Sequence, residues 1–256
     1  MVLQSARRWI SVLALALAVT VAPVSVQPAL ATVTEQAPSR PTTSFEAWFE
    51  VEQPPTLPFE AVQLVVDFPV GAKVARHLHG GPGYITMLEN EMTMWIGADP
   101  GRTYGADESF VEPYRVVAEG ANLSAAPSSL LVTYLIPVGA AVTTLEAAPA
   151  GAPAGQLPPG AVSRFESRLR FDEVPGKYKV GQMMQTYAPG AWTMSAIAAS
   201  PRLLTVVSGE VTVLNRASER VYKAGESWSE TAGQAWLSGN TGSAPAVVAV
   251  STIAPQ

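Results

Sequence analysis

The stretch GAKVARHLHGGPGYITMLENE, residues 71–91, holds both histidines of a 256-residue chain. They stand as His77-Leu78-His79. On a β-strand, residues i and i+2 point to the same face, so the two imidazoles share one side and can converge on one cation. The run Gly80-Gly81-Pro82-Gly83 then breaks the strand. It has the glycine content of a phosphate loop, but no Lys-Ser/Thr follows and no helix is expected, so it reads as a turn beside a pocket mouth. Asn90 stands at the next turn, where Asn tolerates positive φ better than most residues.

Working outward, the apolar runs are short, β-branched and broken by Gly, Pro, Asn or Asp. AVQLVVDF, YITMLENEMTMWI, SLLVTYLI, LLTVVSGEVTVL and AVVAVSTI are the clearest. They predict closely spaced strands of about 5–8 residues, as in a sandwich or barrel, and no segment shows sustained helical periodicity. Residues 62–68 and 130–136 are almost continuously apolar, as expected of strands buried on both faces. Met87, Met92 and Met94 read as core, with alternate positions able to face a cavity.

The first 31 residues stand apart. Arg7 and Arg8 precede an apolar run from about Ile10 to Val26, and Ala29 and Ala31 form an A-x-A cleavage site. This reads as a secretory signal peptide cut after Ala31, giving a secreted or periplasmic protein with no membrane attachment after cleavage. The chain has no cysteine, which excludes disulfides, thiol nucleophiles and cysteine-bound metal. The net charge of −5, with no basic stripe, argues against nucleic acid as a partner.

Two segments read as linkers: a polar lead over residues 32–44, and the Ala/Pro/Gly-rich residues 146–162, which cannot bury a core. The regions on either side of the second, 45–145 and 163–256, repeat one another. Gln63 matches Gln182, Gly71 matches Gly190, Thr86 matches Thr205 and Glu91 matches Glu210, all at one spacing. After a one-residue shift, Tyr104 matches Tyr222, Glu112 matches Glu230, Asn122 matches Asn240 and Pro127 matches Pro245. The period is too long for a solenoid unit and indicates a duplicated β domain.

These residues resemble the cupin superfamily. Its first motif, G-(x)5-H-x-H-(x)3–4-E-(x)6-G, fits Gly71, His77 and His79, with Tyr84 at the glutamate position. Its second, G-(x)5-P-x-G-(x)2-H-(x)3-N, resembles YGADESFVEPYRVVAEGAN, with Glu112-Pro113 in place, Ala118 at the histidine position and Asn122 at the asparagine. Asn122-Leu123-Ser124 also matches a glycosylation acceptor, but Asn122 is read as structural. The resemblance implies an all-β chain of two tandem jelly-roll cupin barrels, a bicupin. Many cupins hold one divalent metal on three histidines and a glutamate, and here only His77 and His79 carry over. In the second repeat the corresponding positions are Ala196, Ala198, Leu203 and Trp236, so that barrel is expected to be metal-free and structural.

Two functions follow as expectations. In the first, the protein binds a small molecule, such as a sugar, an aromatic or another metabolite, in a pocket formed by His77, His79, Tyr84 and Glu112. In the second, it is a metal-dependent oxygenase or isomerase with iron, manganese, nickel or copper on His77 and His79. Tyr84, Glu112 or Glu119 would then complete the ligand set or act as base. Either form suits a monomer or a homodimer.

Overall fold

The computed structural model describes residues 39–146, 160–174, 176–216 and 218–256. The expected signal peptide, most of the polar lead and most of residues 146–162 lie outside them. Every regular element described is a β-strand, as the β-branched runs imply. No helix among the described residues is long and apolar enough to cross a membrane.

The first half contributes Thr42–Glu50 (β1), Phe59–Phe68 (β2), Lys73–His79 (β3), Gly83–Glu89 (β4) and Met92–Ile96 (β5). It continues with Arg102–Tyr104 (β6), Ser109–Glu112 (β7), Ala118–Ala121 (β8), Ser128–Pro137 (β9) and Thr143–Leu145 (β10). The second contributes Val162–Phe171 (β11), Tyr178–Tyr187 (β12), Ala196–Ile197 (β13), Arg202–Ser208 (β14) and Glu210–Leu214 (β15). Glu219–Lys223 (β16), Ser227–Glu230 (β17), Ala235–Gly239 (β18) and Ala246–Pro255 (β19) complete it.

These strands form four antiparallel sheets. In the first half, β11-β2-β9-β4-β7 faces β10-β3-β8-β5-β6 across a core that includes Val62, Leu64, Ile85, Met87 and Ile136. In the second, β1-β12-β19-β14-β17 faces β13-β18-β15-β16 around Tyr187, Leu204, Val211 and Val248. Each pair is a jelly-roll sandwich whose two sheets do not join edge to edge among the described residues. The sheets also cross the sequence repeat. The first-half strand β1 pairs with β12, and the second-half strand β11 pairs with β2. Each half thus lends a strand that covers what would be an open edge of the other's sheet.

Sheets β11-β2-β9-β4-β7 and β1-β12-β19-β14-β17 pack back to back, which is why β2 and β9 are apolar on both faces. Phe59 stacks on Phe171 at 5.2 Å in this layer. At its centre lies a buried polar network that repeats itself. Gln182 accepts from Thr86 at 2.8 Å and donates to Tyr84 O and Thr133 Oγ1, both at 2.8 Å. Gln63 accepts from Thr205 at 2.6 Å and donates to Leu203 O at 3.3 Å and Ser251 Oγ at 2.8 Å. Thr133 and Ser251 close the network at 2.7 Å. A buried glutamine whose partners are all met holds its neighbours in one register, because sliding the sheets would strand every partner at once.

The same correspondence governs the turns. Gly71 and Gly190, the paired motif glycines, have φ of +73° and +76°, which a Cβ would strain. Asn90 takes φ +54° as its type allows. Asn122 is fully buried and donates to Phe68 O and Ala126 O at 2.9 Å, while Asn240 donates to Tyr187 O and Ala244 O at 2.9 and 2.7 Å. Both asparagines therefore tie a loop to a strand end, the structural role expected of Asn122.

Candidate metal centre

Between Val74 and His77, strand β3 slips by one residue against β8. A bulge of this kind bends a strand and re-aims its side chains. Here it lets Val74, His77 and His79 all turn inward, three buried side chains that a regular period of two would not align. It also leaves the Ala75 carbonyl beside His77, at 2.7 Å from Nδ1. His79 Nδ1 lies 3.0 Å from Val142 O. Carbonyls only accept, so each imidazole carries a proton on Nδ1, which leaves Nε2 to face the centre of the site, where it can bind a metal ion or carry a second proton.

Those two Nε2 atoms face each other at 3.0 Å. Glu112, brought in by β7, places Oε2 at 2.8 Å from His79 Nε2. Tyr134, from β9, sets its hydroxyl 3.2 Å from the same nitrogen and hydrogen-bonds Glu112. Three electron-pair donors thus converge with one hydroxyl hydrogen among them. Such a group is stable only with a further positive charge at its centre, a proton or a metal ion. The spacing fits a metal. Two ligand atoms at about 2.1 Å from one ion and about 90° apart lie about 3.0 Å from each other. His77, His79 and Glu112 are all buried, and their ligand atoms fall within 4.8 Å of one another.

The electrostatics favour a neutral His77 and an ionised Glu112. Burial lowers the pKa of His77, with His79 adding to it against the pull of Glu112. Burial works to raise the Glu112 carboxyl, but His79, His77 and Tyr134 outweigh it and hold the group below its ordinary value. Burial and then the Glu112 carboxylate push the Tyr134 phenol well above its ordinary value, so it keeps its proton.

The ligand atoms open on a cavity of about 40 Å³ whose walls include Val66, Phe68, Ile85, Met92, Met94 and Phe110. No Lys or Arg is among the described residues that line it. Gly81 allows the turn above His79 to close tightly, since a Cβ there would meet Leu135 O at 1.8 Å.

The structure brings His77, His79 and Glu112 together, but not Tyr84. Gly83 and Ile85 face the cavity side of β4, so Tyr84 between them points the other way, into the layer between the halves beside Phe49. Glu119 alternates with the buried Ala118 and lies near Arg76. Neither reaches the histidines. Tyr134 is the member that sequence reasoning missed. It and Thr133 are the hydroxyl-bearing residues inside an otherwise apolar run, 130–136, and that was the available signal.

No family model matches the sequence, and no curated protein matches it. Solved structures do match in fold. Vicilin from Solanum lycopersicum (tomato) is 9% identical, with 75% of this chain and 74% of that one covered at a TM-score of 0.56. Oxalate decarboxylase from Bacillus subtilis at pH 4.6 is 14% identical over 75% of this chain and 68% of that one, at 0.53. The Lactobacillus farciminis oxalate decarboxylase formate complex is 11% identical over 84% of this chain and 87% of that one, at 0.53. At such identities the likeness is one of fold: the all-β, cupin-type fold that the motifs imply.

Proposed function

We propose that this is a two-cupin protein whose first half holds a divalent first-row metal ion on His77, His79 and Glu112. The ion serves chemistry on a small neutral molecule beside Tyr134, and the second half is metal-free and structural. The observation that carries the reading is the 3.0 Å approach of two Nε2 atoms with a carboxylate oxygen at 2.8 Å from one of them. Two imidazoles and a carboxylate suit iron, manganese, nickel or copper in the divalent state. An ion held there supplies a Lewis-acid centre with open coordination positions. The chain's own residues do the rest. The Nδ1–H bonds to Ala75 and Val142 fix both ring orientations. The Tyr134 hydroxyl holds a proton at the cavity, ready to donate to a bound oxygen or nitrogen atom. The apolar wall keeps bulk water out.

The cavity volume narrows the ligand. A water molecule takes about 30 Å³ of liquid. A space of about 40 Å³ therefore holds a ligand of roughly water-like size beside the ion, not a sugar or an aromatic ring, since a cavity that accepts benzene measures about 150 Å³. With no Lys or Arg on the described wall, a dianion such as oxalate finds no fixed counter-charge. The decarboxylases' substrate is therefore not carried over to this chain. The leader over residues 1–31 directs export, and the protein works outside the cytoplasm as a monomer or homodimer.

Elemental analysis of the protein, purified without chelator or a histidine tag, tests the reading. About one metal ion per chain is expected, and near none in the His77→Ala/His79→Ala variant. Failure of the wild type to take up iron, manganese, nickel or copper on reloading would overturn it.

A further inference from the structure

Strands β4 and β7 carry a second pocket on the face opposite the metal centre. In their ladder Gly83 lies opposite Glu112, and Tyr84 lies opposite Val111. Glu112 turns into the metal cavity, while Val111 and Tyr84 line the outer pocket, of about 210 Å³, with Pro82, Tyr114, Glu50 and Glu52. Tyr84 is only 2% exposed, and among the described residues its hydroxyl makes no hydrogen bond. The oxygen is not among the fully enclosed polar atoms that lack a partner, so it opens on the pocket and can accept from or donate to a ligand there. Burial, Tyr178 and Glu52 hold its pKa far above the ordinary value, so it stays neutral.

The charged residues that line the pocket are acidic, with Lys179 opposite Glu50 in the ladder and Arg115 against Tyr114. Glu50 accepts from Gln256 Nε2, while Glu52 is exposed and makes no ion pair among the described residues. The Tyr114 ring already draws a cation, the Arg115 guanidinium, to 5.0 Å from its centroid. Carboxylate, phenol oxygen and aromatic face together recognise a positively charged nitrogen with apolar substituents. We propose that this outer pocket is a binding site for a small organic ammonium ion. The volume suits it, since a cavity of about 150 Å³ accepts benzene. The site stands apart from the metal centre and does not depend on metal being bound there.

Titration calorimetry of the full chain at low salt, with choline as probe, tests this. The neutral isostere 3,3-dimethylbutan-1-ol serves as control, and the variants are Glu52→Gln and Tyr84→Phe. Saturable choline binding is expected, about 10-fold tighter than the alcohol and about 10-fold weaker in each variant. Glu52 is exposed, so its variant folds even if Tyr84→Phe disturbs the core. No saturable choline binding, equal binding of choline and alcohol, or unchanged affinity in Glu52→Gln would each overturn the proposal.

Discussion

Glu112 and Glu230 occupy the same place in the two halves, and both are buried to within 4% of complete. Their surroundings differ by an exchange of bulk. In the first half Glu112 and Tyr134 flank the bare Gly83, where a Cβ would strike the Tyr134 ring at 2.5 Å. In the second, Glu230 and Thr252 flank Arg202, whose guanidinium donates to Glu230. Trp228 Nε1 donates to the same carboxylate at 3.2 Å. A buried carboxylate requires a positive partner. One half carries that partner on its own chain. The other has glycine in its place, two imidazoles and a cavity, and on the proposed reading it takes its positive charge from a metal ion. A fixed ion pair is a structural element, whereas an exchangeable ion is a functional one.

The largest effect is expected from breaking the fixed pair. Arg202→Met leaves Glu230 buried without its partner and should destabilise the fold by about 3 kcal/mol in denaturant unfolding. Adding Glu230→Gln should restore much of the loss. If the single variant is as stable as wild type, the guanidinium does not play the role assigned to it. Next comes the network that joins the halves. Gln63→Leu and Gln182→Leu each strand a carbonyl and leave a threonine hydroxyl with only its serine partner, Ser167 or Ser109, and each should cost about 2 kcal/mol. Because the two networks mirror each other and meet at Thr133 and Ser251, the costs should be nearly equal and the double variant less than additive. Clearly unequal costs would show that the halves are not docked symmetrically.

The smallest effect separates the halves by pH. The folded pKa of His77 is lowered by burial, so below its ordinary value of 6.5 the unfolded chain binds a proton that the folded chain refuses. Metal-free protein should therefore lose stability as pH falls from 6.5, until folded His77 protonates in turn. The slope is at most about 1.4 kcal/mol per pH unit. Thermal melts of His77→Gln should lack this component, and an identical pH profile would contradict the buried neutral imidazole. The second half has no histidine to contribute.

Much of this contrast was legible in the sequence. Two histidines at strand spacing announced a shared face, and the repeat showed their counterparts to be Ala196 and Ala198. Asn90 and Asn122 stand where local conformation and loop closure demand them. Other features were hidden for physical reasons. Motif spacing put Tyr84 at the ligand position, but the two-residue period of β4 turns it outward. Tyr134 sits in a strand buried on both faces, where no polar alternation marks the inner side. The bulge that aims His77 leaves no trace in residue type, and the exchange of β1 and β11 between halves depends on pairing partners that local patterns do not specify.

The claim that one half holds an exchangeable ion and the other a fixed one is tested most directly by anomalous diffraction from crystals soaked in manganese(II). The account predicts a single protein-bound peak per chain, about 2.0–2.3 Å from His77 Nε2, His79 Nε2 and a Glu112 oxygen, with none at Arg202 and Glu230. No peak at the histidines, or a second peak at Glu230, would contradict it.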